Sequence, residues 1–168
     1  AVFGESELVD ESTEPGSWLA AETGGEPVVL RLRLATPLES FTLAAFFRDP
    51  AISETVGYLA AEGESSLRLS RSYDRLEVWS GHDLLWSRFA PGFGWRHLAL
   101  SYQAITGRVL VTVDGVRWGE LWAPAGLRFA SASAAGNCAG CAIAHWFAYR
   151  SFMHLKELLP LAGHRAPR

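Results

Sequence analysis

The sequence predicts an all-β fold, an antiparallel sandwich of two sheets, and three observations predict it. Strand-like runs follow one another about every 8–12 residues with turn signals between them, the rhythm of a sandwich. Within several runs apolar and polar residues alternate with period two, as in Leu30-Arg31-Leu32-Arg33-Leu34, so that one face is buried and the other wet. The stretch from Gly94 to Trp122 reads as three such runs joined by turns at Thr106-Gly107 and Asp114-Gly115. Asp-Gly between alternating runs is the strongest short hairpin signal, because a type I′ turn needs positive φ at both central residues.

In chain order, residues 1–27 open with Ala1-Val2-Phe3-Gly4 and turn acidic through Glu5, Glu7, Asp10, Glu11 and Glu14, which reads as a solvated edge. Trp18 to Ala21 is a possible short strand before Gly24-Gly25. Val28 to Ala35 is a strand that Pro37 breaks. Phe41 to Phe47 is apolar on both faces and belongs in the middle of a sheet. Val56 to Ala61, Leu67 to Ser70, Leu76 to Trp79 and Leu84 to Phe89 follow, divided by Gly63-Glu64-Ser65-Ser66, Ser72-Tyr73-Asp74 and Ser80-Gly81-His82-Asp83. After the 94–122 meander, Ala130 to Gly140 is mostly Ala, Ser and Gly and reads as a loop. Cys141 to Tyr149 is a closing strand. Ser151 to Leu159 reads as one short helix, ended by Pro160 and Gly163.

The chain has 168 residues, 49% of them hydrophobic. A chain of about 150 residues buries about 70% of its unfolded surface, so a single cored domain is expected over 1–163, with 164–168 as a tail or linker. Net charge is -3 and the basic residues are scattered, which argues against a nucleic-acid partner. No run approaches the ~20 apolar residues of a membrane span, so no membrane insertion is expected. The first residues lack a basic-then-apolar secretion signal, which is therefore expected to be absent or removed.

Cys138-Ala139-Gly140-Cys141 has the spacing of a redox motif or half a zinc site. A redox pair needs a helix N-terminus after the first cysteine, and a strand follows here. Zinc needs two further ligands, with His145 or His154 converging. A local Cys138–Cys141 disulfide ranks ahead of two free thiols, and both ahead of metal or redox chemistry. His97 reads as a packed core histidine and Asp114 as a turn residue. No serine–histidine–acid or cysteine–histidine order stands out. Hydrolases of this sandwich class set carboxylates along one strand. The nearest candidates, Glu5, Glu7 and Asp10, or Glu62 and Glu64, sit on no central aromatic strand. Trp79, Trp86, Trp95 and Trp146 read as core. Trp118 and Trp122 are four apart and would share a strand face, which makes them the candidate binding surface for a sugar ring or a partner protein, although core packing competes with that reading.

Several stretches resemble pentraxins. Ala1-Val2-Phe3-Gly4-Glu5-Ser6 resembles their opening and Pro37-Leu38-Glu39-Ser40-Phe41-Thr42-Leu43 their early strand. Trp95-Arg96-His97-Leu98-Ala99-Leu100-Ser101-Tyr102, with Thr106-Gly107-Arg108 and Val113-Asp114-Gly115, resembles their central hairpins and those of laminin G-like domains. The resemblance covers most of residues 1–160 and implies a jelly-roll sandwich. It also implies a non-enzymatic recognition or adhesion module of a secreted or cell-surface protein, extracellular and binding a protein or glycan. A lectin-like domain, a degraded glycan hydrolase and a purely structural domain are the alternatives. Two departures follow. The positions matching the pentraxin disulfide are Ala44 and Ala99, so that staple is missing. The stretch matching the calcium loop, Phe129 to Asn137, has no carboxylate, and calcium needs hard oxygen ligands. No metal, no cofactor and no catalytic residue are therefore expected.

Overall fold

The computed structural model describes residues 5–10, 16–17, 28–49, 55–90, 94–136 and 141–153. Among these residues the chain is all-β, with thirteen strands in two sheets. The seven-stranded sheet contains β1 (Glu5–Asp10), β3 (Val28–Leu38), β12 (Phe129–Gly136), β5 (Thr55–Gly63), β6 (Ser66–Ser72), β7 (Arg75–Ser80) and β8 (Asp83–Phe89), in that spatial order. The six-stranded sheet runs β11 (Val116–Trp122), β10 (Arg108–Val113), β9 (Gly94–Gln103), β4 (Phe41–Asp49), β13 (Ala142–Tyr149), β2 (Gly16–Ser17). Pairing is antiparallel except between β1 and β3, which are parallel. No helix of the described residues is long and apolar enough to cross a membrane.

The sheets close on one core. Leu32, Leu67, Leu69, Val78 and Phe129 come from the seven-stranded sheet; Phe41, Leu43, Leu100, Val111 and Ile143 come from the other. Phe41 and Phe129 meet edge-on across the two layers, with centroids 5.4 Å apart. This is how alternation builds a sandwich: each strand sends its apolar set inward, and two such faces bury each other.

The central meander follows the expected pattern. Val109, Val111 and Val113 are buried in the core. Asp114 (φ 50°) and Gly115 (φ 79°) both take positive φ, as a type I′ turn requires. The Asp114 carboxylate accepts the His97 backbone N–H at 2.8 Å, so the acid serves the turn.

Up to Gly136 the structure corrects the loop expectation for 130–140, and residues 137–140 lie outside the described residues. Phe129–Gly136 is a strand, placed between β3 and β5 inside the seven-stranded sheet. Ala132 lies between Leu32 and Ala61, and Ala134 between Leu30 and Leu59. Strand propensity measures fit to a half-buried pleated surface. Here both neighbouring strands supply hydrogen bonds, and alanine suits the closely covered inner positions.

Residues from 154 onward lie outside the described residues, and so does most of the expected helix; Ser151–Met153 are not helical. The possible strand at 18–21 also lies outside them. Ser151–Met153 cross the outer face of the six-stranded sheet. There the Thr42 hydroxyl donates to the Ser151 carbonyl at 2.9 Å and accepts the Met153 N–H at 2.9 Å. Met153 packs on Ala44 and Ala99, which are direct cross-strand partners. Ala44 and Ala99 therefore face each other across β4 and β9 and are held by packing.

Candidate functional site

The candidate site lies on the outer face of the seven-stranded sheet. In β7, Leu76 and Val78 point into the core and are buried, so period-two alternation turns Glu77 and Trp79 outward. In β6, Leu67, Leu69 and Arg71 are buried, which leaves Arg68 and Ser70 on the same outer side as Trp79. Cross-strand register then sets one row over five strands. Ser133 pairs with Ala60, Ala60 with Arg68, Arg68 with Trp79, and Trp79 with Leu84.

Side-chain size along that row shapes the surface. Ser133 and Ala60 are small and form a floor, while Arg68 and Trp79 stand above it. The result is an open cleft of about 490 Å³, also lined by Glu77, Ser70 and His82. Trp79 is half-buried, and its indole Nε1–H donates to Glu77 Oε1 at 3.3 Å. Arg68 is exposed, and its Nη2 donates to the Gly81 carbonyl at 3.1 Å. Two rotatable side chains are thus each held by one hydrogen bond. Such a surface offers an aromatic plate, a guanidinium, a carboxylate and hydroxyls side by side, a combination that binds a polar ligand with one apolar face.

The remaining tryptophans separate into different environments. Trp146 is 1% exposed and belongs to the core. Trp86 is half-buried against the core, and Gly119 makes room for it, since a Cβ there would lie 2.6 Å from Trp86 Cε2. Trp95 lies under Arg48, whose guanidinium carbon is 5.5 Å from the ring centroid. Trp79 corrects the core reading given to this group. Its outward direction was readable from Glu77, which shares its phase in the strand.

Trp118 and Trp122 do not lie in one surface. β11 bulges opposite Val111 and Thr112: Arg117 and Gly119 have partners there, and Trp118 is the extra residue. Trp118 packs against the core and lies 4.4 Å beneath the Arg88 guanidinium, whose Nη1 also donates to the Trp118 carbonyl at 2.9 Å. Trp122, opposite Arg108, is 59% exposed. Four-residue spacing implies a shared face only in an unbroken strand.

Cys138 lies outside the described residues, and Cys141 is buried immediately before β13. His97 is 1% exposed and meets Phe46 edge-on at 4.9 Å. Glu62 and Glu64 are exposed at the end of β5 and in the turn after it, and neither lines the cleft. Among the described residues no three His, Cys, Asp or Glu side chains gather as metal ligands would.

No family model matches the chain. No curated protein matches it either. Solved structures do. A sialidase from Trypanosoma rangeli superposes with a TM-score of 0.59 at 18% identity, over 74% of this chain and 22% of that one. A structure of botulinum neurotoxin type C, described by its interaction with two ganglioside molecules, gives 0.56 at 10% identity, over 74% and 35%. The binding domain of botulinum neurotoxin DC, in complex with rat synaptotagmin II, gives 0.57 at 9% identity, over 74% and 35%. At these identities the likeness is one of fold, a β-sandwich. The chain spans between about a fifth and about a third of these proteins. One expectation is corrected here. The sequence reading took this chain for a non-enzyme, but the same fold occurs within a sialidase, an enzyme by name, so the fold is no argument against catalysis.

Proposed function

We propose that this chain is a recognition domain that binds a saccharide on the outer face of its seven-stranded sheet, with Trp79 as the platform. The observation that carries this reading is the cleft itself. An indole fixed by Glu77 stands beside Arg68 and Ser70 over a floor of small residues. A sugar ring has one face of C–H groups and a rim of hydroxyls; the indole suits the first and the polar side chains suit the second. The sandwich recurs in proteins whose names refer to sialidase activity and to gangliosides, which supports a saccharide as the ligand class. A location outside the cell or at its surface, one domain over 1–163, and a local Cys138–Cys141 disulfide belong to the same proposal.

A second reading is favoured by one observation. Trp122 is 59% exposed beside the Arg108–Glu120 pair on the other sheet, an aromatic anchor of the kind protein partners use.

The test is a glycan array followed by fluorescence titration of the best binder. Trp79→Ala is expected to weaken binding at least about tenfold, or ~1.4 kcal/mol, and Trp122→Ala to leave it unchanged. The reverse pattern moves the site to the other sheet. No binding to any glycan overturns the saccharide reading.

A further inference from the structure

We infer that the cleft around Trp79 selects acidic saccharides, and that Arg68 reads the carboxylate. This rests on the saccharide reading above and specifies the ligand's charge.

Several arginines elsewhere in the protein are neutralised by carboxylates. Arg108 and Arg117 both pair with Glu120, at 3.2 and 3.1 Å, and Arg128 pairs with Glu39 at 2.9 Å. Arg68 differs. Its single hydrogen bond goes to a backbone carbonyl, that of Gly81, and among the described residues no carboxylate neutralises it. Two carboxylates stand diagonal to Arg68 by register, Glu62 in β5 and Glu77 in β7, and neither pairs with it. Glu77 instead accepts the Trp79 indole N–H. The bond to Gly81 draws the Arg68 head toward the β7–β8 turn, and the bond from Trp79 occupies Glu77.

A guanidinium has five N–H donors in a planar fork, and one bond to Gly81 leaves most of them for a ligand. That fork matches a planar carboxylate in two parallel hydrogen bonds, stronger than neutral ones. Because one Nη is already fixed, less side-chain freedom is lost when a ligand binds. Arg68 and Trp79 are direct cross-strand partners, which sets their Cβ atoms about 5 Å apart. That is the scale of one sugar ring. A ring lying on the indole carries its carboxylate over the guanidinium, and Ser70 and Ser133 remain for hydroxyls. Glu77, two residues along β7 from Trp79, opposes a ring that carries its carboxylate to that side.

The experiment uses a panel of uronic-acid and sialic-acid oligosaccharides, each paired with its methyl ester, which keeps the sugar and removes the charge. The expected result is binding of at least one acid at least about tenfold more tightly than its ester, with the gap narrowing as salt is raised from 0.05 to about 0.5 M. Arg68→Gln is expected to bring acid and ester to the same affinity. Arg68→Lys should restore part of the difference, because it keeps the charge and loses the fork. Trp79→Ala should weaken acid and ester alike. Esters that bind as tightly as acids, or a preference that survives Arg68→Gln, overturn this inference and leave the saccharide reading in place. Sugars that fail to bind in either form overturn both. Both Arg68 and Trp79 sit on the outer face, so the variants are expected to fold, which a thermal melt verifies.

Discussion

Gly107→Ala is expected to destabilise the domain by about 3–5 kcal/mol, enough to lower Tm by about 10 °C in a chain of this size. Gly107 opens the path from β9 to β10 with φ at +79°. A side chain in that left-handed region costs roughly 1–2 kcal/mol on its own. The larger part comes from space: a Cβ there runs into the Ala123 carbonyl, which is backbone and cannot rotate away. The same carbonyl belongs to a residue whose N–H donates to the Gly107 carbonyl at 2.8 Å, so the contact that leaves no room also holds the segment in place. Gly126→Ala is the control. It has φ at +76° and nothing within 4 Å of its would-be Cβ, so it should show the conformational cost alone, about 1–2 kcal/mol. Urea unfolding of both variants separates the two effects. A Gly107→Ala protein no less stable than Gly126→Ala would refute the steric part of the argument.

The second large effect is expected at Tyr102. Its ring is buried between Phe41 and Phe129, at 5.7 and 5.8 Å. Its hydroxyl donates to the Pro124 carbonyl at 2.6 Å and accepts the Leu127 N–H at 3.1 Å. One phenol therefore ties β9 to the 123–128 segment, where the chain leaves the six-stranded sheet for the other. Tyr102→Ala is expected to cost about 3–5 kcal/mol, as large-to-small aromatic changes in cores do. Tyr102→Phe keeps the ring and should cost about 1–3 kcal/mol for the two unmet backbone groups. Alkaline pH offers an independent readout. Burial raises the Tyr102 pKa above its ordinary value of 10.0, and the hydrogen bond from Leu127 only partly opposes this. Above about pH 10 the unfolded chain then gives up a proton that the folded protein keeps. Stability is flat below that pH and falls as pH rises through the raised pKa. Burial also raises Tyr149, so Tyr102→Phe should remove part of this alkaline loss and leave the rest. An unchanged alkaline profile in Tyr102→Phe would show that Tyr102 does not contribute to it.

The parts of the fold that the sequence displayed were those where local and tertiary signals agree. Asp114-Gly115 demanded a type I′ turn and Val109-Leu110-Val111-Thr112-Val113 demanded a strand, and both are present. Residues 129–136 were misread because nothing local marks them. Their alanines and serines form a strand on account of β3 and β5, which are far away in sequence. The site was half legible. The phase of Leu76-Glu77-Val78-Trp79 already turned Trp79 outward, but its neighbours Arg68, Ala60 and Ser133 come from three other strands and needed the register. Trp118 and Trp122 do not share a face because a bulge shifts the strand's phase, and the one local sign of it is Gly119, a glycine inside the strand.

The position of β12 also bears on how the protein is made. Synthesis runs from the N-terminus, so β3 and β5 both leave the ribosome long before the strand that separates them. Until residues 129–136 emerge, each of the two exposes a bare edge of backbone donors and acceptors, the template on which chains aggregate. A nascent chain halted before residue 129 is therefore the species most in need of a chaperone. Two halves of the seven-stranded sheet wait on a strand of alanines and serines, and such a strand has little tendency to aggregate by itself.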